Sequence, residues 1–266
     1  MKKRTRDDAE GSGNVRLSRM NSLLRLSTAL AVLALATLGA APPKNPPNDS
    51  GTFKIYQQNQ AVGTESFDFI YSGDSVTVYS GTIRLTKPGG SDTVYKEVEL
   101  MADALDFNLR EYQSKLKVGP DLMIRGINLR TDAFTVYREA RGLGSGETYE
   151  RPLGRLFVLD AESYVLFDVI CRNLHGRSFK QRPLTIFLLG AKDTTIDVTV
   201  TDIGPDTLNW GGRPVTTRRL LIEDPFKNQA RLWVSPIGRM LRFEQPSFAL
   251  RIERVPPPVK PKPSSG

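Results

Sequence analysis

The sequence has few of the residues that build most catalytic and metal sites. Its 266 residues contain one cysteine, Cys171, and one histidine, His175. One cysteine excludes an intrachain disulfide, and zinc or iron–sulfur sites need several ligands, so we expect no metal and no other cofactor. The two residues are four positions apart, which makes a Cys–His dyad conceivable. A small core thiol near a polar helix end is the favoured interpretation.

Phosphate-binding loops and basic binding stripes are also missing. The glycine-rich stretch GLGSGE, residues 142–147, is not followed by the start of a helix, so we interpret it as a loop between strands. The formal net charge is +8, but acidic residues are interleaved with basic ones along most of the chain. A nucleic-acid footprint would be a clustered stripe, so no nucleic-acid partner is expected.

The longest apolar run is too short for a typical membrane-spanning helix. After Arg25 come sixteen uncharged residues, LSTALAVLALATLGAA, whereas a span needs about 20. A basic start, a Leu/Ala-rich centre and a small-residue end predict a secretory signal peptide, and therefore export to the periplasm or cell envelope. An uncleaved signal that acts as an anchor is the alternative, and Met20 is an alternative start.

Two proline-rich segments bracket the predicted folded unit. We expect a leader and signal peptide over residues 1–41 and a proline-rich linker over residues 42–51. The β-rich domain is then expected over residues 52–255, followed by a disordered Pro/Lys-rich tail over residues 256–266. The oligomeric state does not follow from the sequence.

Alternating apolar and polar residues dominate the predicted domain. In the stretch 248–253, Phe248, Leu250 and Ile252 alternate with Ala249, Arg251 and Glu253, a period typical of a strand with one buried face. Similar strands recur at roughly ten-residue spacing with turn signals between them. The pattern predicts a mainly β domain, built as a sandwich, a barrel or a strongly curved sheet. Together with the family resemblance given below, it favours one strongly curved antiparallel sheet, a half-barrel or open barrel.

One segment, residues 160–176, has helical spacing instead. Its apolar residues fall at Tyr164, Phe167, Ile170, Cys171 and Leu174. Asp160 or Ser163 is the predicted N-cap and Gly176 the predicted C-terminal stop. A single helix among strands has to bury its apolar stripe, so we place it on the concave face of the sheet.

The aromatic residues and one basic loop are the candidate binding residues. We predict that the concave face presents an aromatic set to a ligand: Phe53, Phe67, Phe69, Phe107, Phe167, Trp233 and Phe243. The stretch NWGGRPVTTRRL, residues 209–220, adds a possible rim of Trp210, Arg213 and Arg218. For both groups packing within the protein is the simpler alternative, namely core contacts for the aromatic set and an ordinary hairpin for the loop. No catalytic residue is assigned.

Four stretches resemble an uncharacterised family of exported bacterial domains of unknown function. They are FKIYQQNQAVGTESFDF, AESYVLFDVICRNL, LTIFLLG and RPVTTRRLLIEDPFKNQARLWVSPIGRMLRFE. The resemblance extends to LolA-like and LolB-like lipoprotein carriers, and it implies a half-open barrel with a helix across its mouth. The lipid-anchoring cysteine of LolB-like proteins is absent, and no functional residue is carried over.

These observations leave three functions open. The favoured hypothesis is a non-catalytic envelope protein that binds a lipid or other amphipathic molecule in the half-barrel and meets the membrane only transiently or through an uncleaved signal. The alternative is an envelope scaffold or interaction module with a filled core. A hydrolase is the least favoured, because a serine or cysteine triad would depend on the single histidine.

Overall fold

The structure, a computed structural model, describes residues 46–258. The predicted signal peptide, the first part of the predicted linker and most of the predicted tail lie outside these residues. The described part consists of fifteen strands, one α-helix and a short 3₁₀ helix. The helix is α1 (Val165–Leu174), and the 3₁₀ helix spans Pro246–Phe248.

The first eight strands form a continuous series of antiparallel hairpins. They are β1 (Asp49–Gln57), β2 (Gln60–Ser72), β3 (Ser75–Leu85), β4 (Thr93–Asp103), β5 (Leu109–Val118), β6 (Asp121–Leu129), β7 (Ala133–Ala140) and β8 (Leu143–Glu150). The other seven surround and follow the helix: β9 (Leu156–Asp160), β10 (Gln181–Leu189), β11 (Thr194–Trp210), β12 (Arg213–Glu223), β13 (Gln229–Val234), β14 (Met240–Gln245) and β15 (Leu250–Arg254).

All fifteen strands belong to one mostly antiparallel sheet that does not close into a barrel. The strand order is β8-β7-β6-β5-β4-β3-β2-β1-β15-β14-β13-β12-β11-β10-β9. The first and last strands are therefore neighbours at its middle, and β9 runs parallel to β10. A mainly β fold with one helix on the concave face of a curved sheet is confirmed.

The core is built from the inward-facing residues that the period-two pattern predicted. Phe53 and Ile55 of β1 are fully buried, while Lys54 between them is exposed. The helix adds Val165, Leu166 and four further buried residues to the same cluster. Burying a large apolar side chain stabilises the fold by about 1.5–3 kcal/mol, so this cluster supplies the main driving force.

The connection between β9 and α1 is held by polar side chains that point inward from β2 to β6. Lys96 of β4 pairs with Asp160 at 2.6 Å and also donates to the Ala161 carbonyl. Asp160 accepts further bonds at 2.7, 3.0 and 3.3 Å, from Tyr112, Ser114 and Arg125 in that order. Burial lowers the pKa of Lys96, and its pairing with Asp160 offsets part of that effect.

Glu162 in this connection has a left-handed backbone, with φ of 67°. Non-glycine residues rarely adopt that conformation, so other contacts must hold it. Thr82 of β3 donates to the Glu162 carbonyl at 2.8 Å, and Arg84 of the same strand forms an ion pair with the Glu162 carboxylate. Strand β3 therefore fixes the turn that leads into the helix.

The N-terminus of the helix is capped from a distant strand. Glu65 of β2 is fully buried, and its carboxylate accepts the backbone N–H groups of Tyr164 and Val165 at 2.9 and 3.0 Å. The predicted caps, Asp160 and Ser163, are wrong: the helix begins later, and its N-cap residue makes no side-chain capping bond. Glu65 binds backbone donors that a helix leaves unpaired.

A second buried cluster joins the middle of the helix to both ends of the described chain. Asp168 of α1 accepts the Met240 backbone N–H at 2.6 Å and pairs with Arg172 at 3.0 Å and with Arg254 of β15 at 3.5 Å. Arg254 also contacts both carboxylate oxygens of Asp49 at 2.8 Å. Every charge in this cluster has an opposite partner, as burial requires.

Several element boundaries differ from the sequence-based expectations. Strand β1 begins at Asp49, inside the stretch expected to be linker, because its buried ion pair holds it in the sheet. Residues 143–150 form the edge strand β8 rather than the expected loop. The helix is shorter than the segment 160–176, although Gly176 has the positive φ of a helix stop, 70°.

Replacing Asp168 with alanine should destabilise the protein by about 3–5 kcal/mol, because two buried arginines would lose a partner. Urea denaturation followed by circular dichroism measures the free energy of unfolding. Asp197→Ala, at an exposed position of β11, is the control and should change it by about 0.5 kcal/mol or less. Equal effects of the two substitutions would contradict the proposed role of the cluster.

Glu65 should make stability depend on pH in the direction opposite to a surface carboxylate. Burial raises the pKa of Glu65 from its ordinary value of 4.5 to about 7, against the effect of its hydrogen bonds. Between these values the folded state retains a proton that the unfolded chain loses, so the free energy of unfolding falls as pH rises, by a few kcal/mol in total. Glu65→Gln should remove this slope in urea titrations; an unchanged slope would contradict the assignment.

Candidate functional site

A cavity of about 430 Å³ opens where the C-terminal end of α1 meets β11, β12 and β13. Its wall is formed by Cys171, Leu174, His175, Gly176, Asp202, Gly204, Pro205, Thr216, Thr217, Arg218, Leu220, Val234, Ser235 and Pro236. This volume falls within the range of about 300–1,000 Å³ for small-molecule sites. The helix therefore leaves part of the concave face uncovered.

A β-bulge in β11 shapes one side of this cavity. The pairing with β12 shifts between Asp202 and Gly204, so one extra residue interrupts the alternation. Gly204 has φ of 108°, a conformation that favours glycine, and Pro205 then lies opposite Arg218. The bulge redirects β11, so that Leu208 is buried with Trp233 and Leu241 in a second, smaller cluster.

The apolar part of the wall comes from the helix and the middle of the neighbouring strands. Leu174 and Cys171 are each 1 % exposed, and Leu220 and Val234 are buried as well. Exposed His175, Thr216 and Pro236 lie toward the solvent. An apolar interior with a few polar groups near the opening is typical of a site for an amphipathic molecule.

The charged groups in the wall neutralise one another. Nε and an Nη of Arg218 each lie 3.0 Å from Oδ2 of Asp202. The other Nη donates to the carbonyls of Leu174 and Arg177, at 3.4 and 3.0 Å, and the guanidinium lies 4.5 Å from the ring centre of Phe179. Arg218 thus binds the carbonyl end of the helix, where a positive charge is favoured.

Cys171 and His175 share this wall, but burial disfavours the reactive thiolate form of Cys171. Burial raises the pKa of the Cys171 thiol well above its ordinary value, with the nearby Asp168 carboxylate adding to the effect. A thiol held in its neutral form is a poor nucleophile. His175 packs instead against Gly238, where an added Cβ would come within 2.7 Å of the histidine Cβ. This geometry supports the interpretation of Cys171 as a small thiol in the core.

Most of the predicted aromatic set packs together away from this cavity. Phe53 and Phe67 stack with ring centres 4.6 Å apart, and Phe67 meets Phe69 edge-on at 6.0 Å. Phe107 contacts Tyr71, and the partly buried Phe167 packs on Phe243 at 4.4 Å. These residues lie in the main core, and their predicted role in ligand binding is untested.

The other predicted site residues lie in two different places. Trp233 belongs to the second cluster and donates to Asp206 at 3.0 Å, so it does not share a face with Phe243. A register shift after Trp233 likewise places Leu241 and Phe243 on different faces of the sheet. Trp210 and Arg213 pair across the tip of the β11–β12 hairpin, whereas Arg218 is in the cavity wall.

No cluster of three or more histidine, cysteine or acidic side chains within residues 46–258 is arranged to hold a metal ion. Over the same residues, no helix combines the length and hydrophobicity that a membrane crossing requires.

The comparisons with known proteins support the fold. The sequence matches no protein-family model, and it matches none of the curated proteins. A solved structure, a β-barrel-like protein of a domain of unknown function, DUF1849, from Brucella abortus, is similar with a TM-score of 0.52 and 10 % identity. The match covers 79 % of this chain and 96 % of that one.

Cys171 should resist alkylation as long as the protein is folded. Because the thiol is 1 % exposed and its pKa is raised, iodoacetamide should leave it unmodified in native buffer and modify it fully in denaturant. Intact-mass spectrometry over a time course measures the modified fraction. Rapid labelling of the native protein would contradict this arrangement and reopen the Cys–His interpretation.

Proposed function

We propose that this protein is an exported envelope protein that binds the apolar part of a lipid or similar amphipathic molecule without catalysing a reaction. The observation that carries the proposal is the apolar cavity of about 430 Å³ at the C-terminal end of α1. The ligand would occupy this cavity rather than the packed aromatic set. The signal-peptide pattern of residues 26–41 supports the proposed export.

The arrangement of the cavity supports reversible binding. Its wall is preformed, because the bulge of β11 and the Arg218 bonds to the helix end fix it without a ligand. Burial of an apolar chain against Leu174, Leu220 and Val234 would supply about 25 cal/mol per Å² removed from water. The sequence resemblance to LolA-like lipoprotein carriers, which implies a half-open barrel, agrees with this proposal.

An envelope scaffold is the second candidate, and it is favoured by the filled aromatic core. Phe53, Phe69 and Phe243 are at most 1 % exposed, so most of the concave face offers no space for cargo. A scaffold would use the sheet edge at β8, where residues 143–148 are all exposed. Such an edge can pair with a strand of another protein.

Filling the cavity mouth should abolish ligand binding. Native mass spectrometry of protein purified from its host should show a co-purifying small molecule, which Thr216→Trp should lose because the new ring occupies the opening. Thr199→Trp, on an exposed site of β11 outside the cavity wall, is the matched control and should retain the ligand. A wild-type protein free of ligand, together with capture of an envelope partner, would favour the scaffold instead.

A further inference from the structure

The chemistry of the cavity wall also bears on which amphipathic molecules fit. Outside the predicted leader and signal peptide of residues 1–41 the chain carries a formal net charge of +4, so the exported protein would be expected to attract anions. Arg218 is the guanidinium in the wall, and its three nitrogens are already engaged by Asp202 and by the carbonyls of Leu174 and Arg177. The positive charge of Arg218 is thus already neutralised by groups of the protein.

Both carboxylate oxygens of Asp202 are also engaged by groups of the protein. Its Oδ2 accepts from Arg218, and its Oδ1 accepts the Gly204 backbone N–H at 2.9 Å, a bond that belongs to the bulge. A carboxylate or phosphate that binds the Nε edge of Arg218 in the bidentate way would have to displace Asp202. The displaced Asp202 carboxylate would then lie beside the negative charge of the ligand, and leaving one member of a partly buried ion pair without its partner costs free energy.

The other polar side chains of the wall are the exposed imidazole of His175 and hydroxyls, among them those of Ser235 and Thr216. Ser235 accepts the Arg239 backbone N–H at 3.1 Å through its Oγ, so its own proton can be donated to a ligand oxygen. The Thr216 hydroxyl lies at the exposed part of the wall. Hydroxyls of this kind match the hydroxyl, ether or ester groups of an uncharged head.

We propose that the cavity selects a neutral amphiphile: an apolar chain with an uncharged, hydroxyl- or ester-bearing head. This inference rests on the proposed function and names the ligand class for the same cavity. The self-neutralised Asp202–Arg218 pair excludes anionic heads, while the apolar wall holds the chain. The selectivity is therefore set by one ion pair on β11 and β12.

The experiment compares two probes with the same chain, monododecanoylglycerol and sodium dodecanoate, each below its micelle concentration. Isothermal titration at about pH 8, where the free acid is ionised, gives both dissociation constants. The wild-type protein should bind the glyceride at least about tenfold more tightly. Asp202→Asn removes the carboxylate that neutralises Arg218. It should therefore strengthen dodecanoate binding and reduce the ratio of the dodecanoate to the glyceride dissociation constant.

Asp197→Asn, on the same strand and outside the cavity wall, is the control and should leave the wild-type ratio unchanged. If wild-type protein binds dodecanoate as tightly as the glyceride, or more tightly, the neutral-head inference is overturned and the proposed function stands. If neither probe binds, the proposed function itself fails. The wild-type ratio decides between these outcomes even if Asp202→Asn does not fold.

Discussion

The structure depends on buried polar and charged side chains whose hydrogen bonds and ion pairs hold one helix inside a curved sheet. The connection into α1 passes over the inner face of β2 to β6, where an apolar surface alone could not satisfy its backbone groups. Glu65, Thr82 and Lys96 lie directly opposite one another on three successive strands and supply the partners. A buried polar group that lost its partner would destabilise the fold by more than a satisfied hydrogen bond stabilises it. The three side chains therefore fix the helix in the one position where all of them are satisfied.

The general architecture could be predicted from the sequence because it follows from local patterns. Alternation along stretches such as Phe53–Ile55 identifies strands and their buried face, and the spacing of Ile170 and Leu174 identifies the helix. The hairpin at Gly211 and Gly212 follows from the same kind of signal, since both glycines have positive φ and occupy a two-residue turn.

The site could not be predicted in the same way, since its parts are joined by long-range contacts. Glu65 caps a helix that begins 100 residues later, and nothing local to the sequence marks that acid as buried. The dipeptide Gly204-Pro205 is typical of a turn, yet strand β11 continues through it with a bulge. Gly204 and Pro205 of that bulge line the cavity, whereas none of the predicted aromatic set does. A glycine inside a strand pattern was the one available signal for it.

The adjacency of β1 and β15 has a consequence for how the chain assembles. On one side of this pair the sheet is a run of neighbouring hairpins from β1 to β8, and on the other side it contains β9 to β15. Within the described residues, the two halves are joined in the sheet by a pairing between Phe53 and Arg254, about two hundred positions apart, reinforced by the ion pair to Asp49. Contacts of such sequence separation form slowly. A chain emerging from a ribosome or a translocation pore therefore holds two separate partial sheets, with β1 and β14 still unpaired, until its final strand arrives.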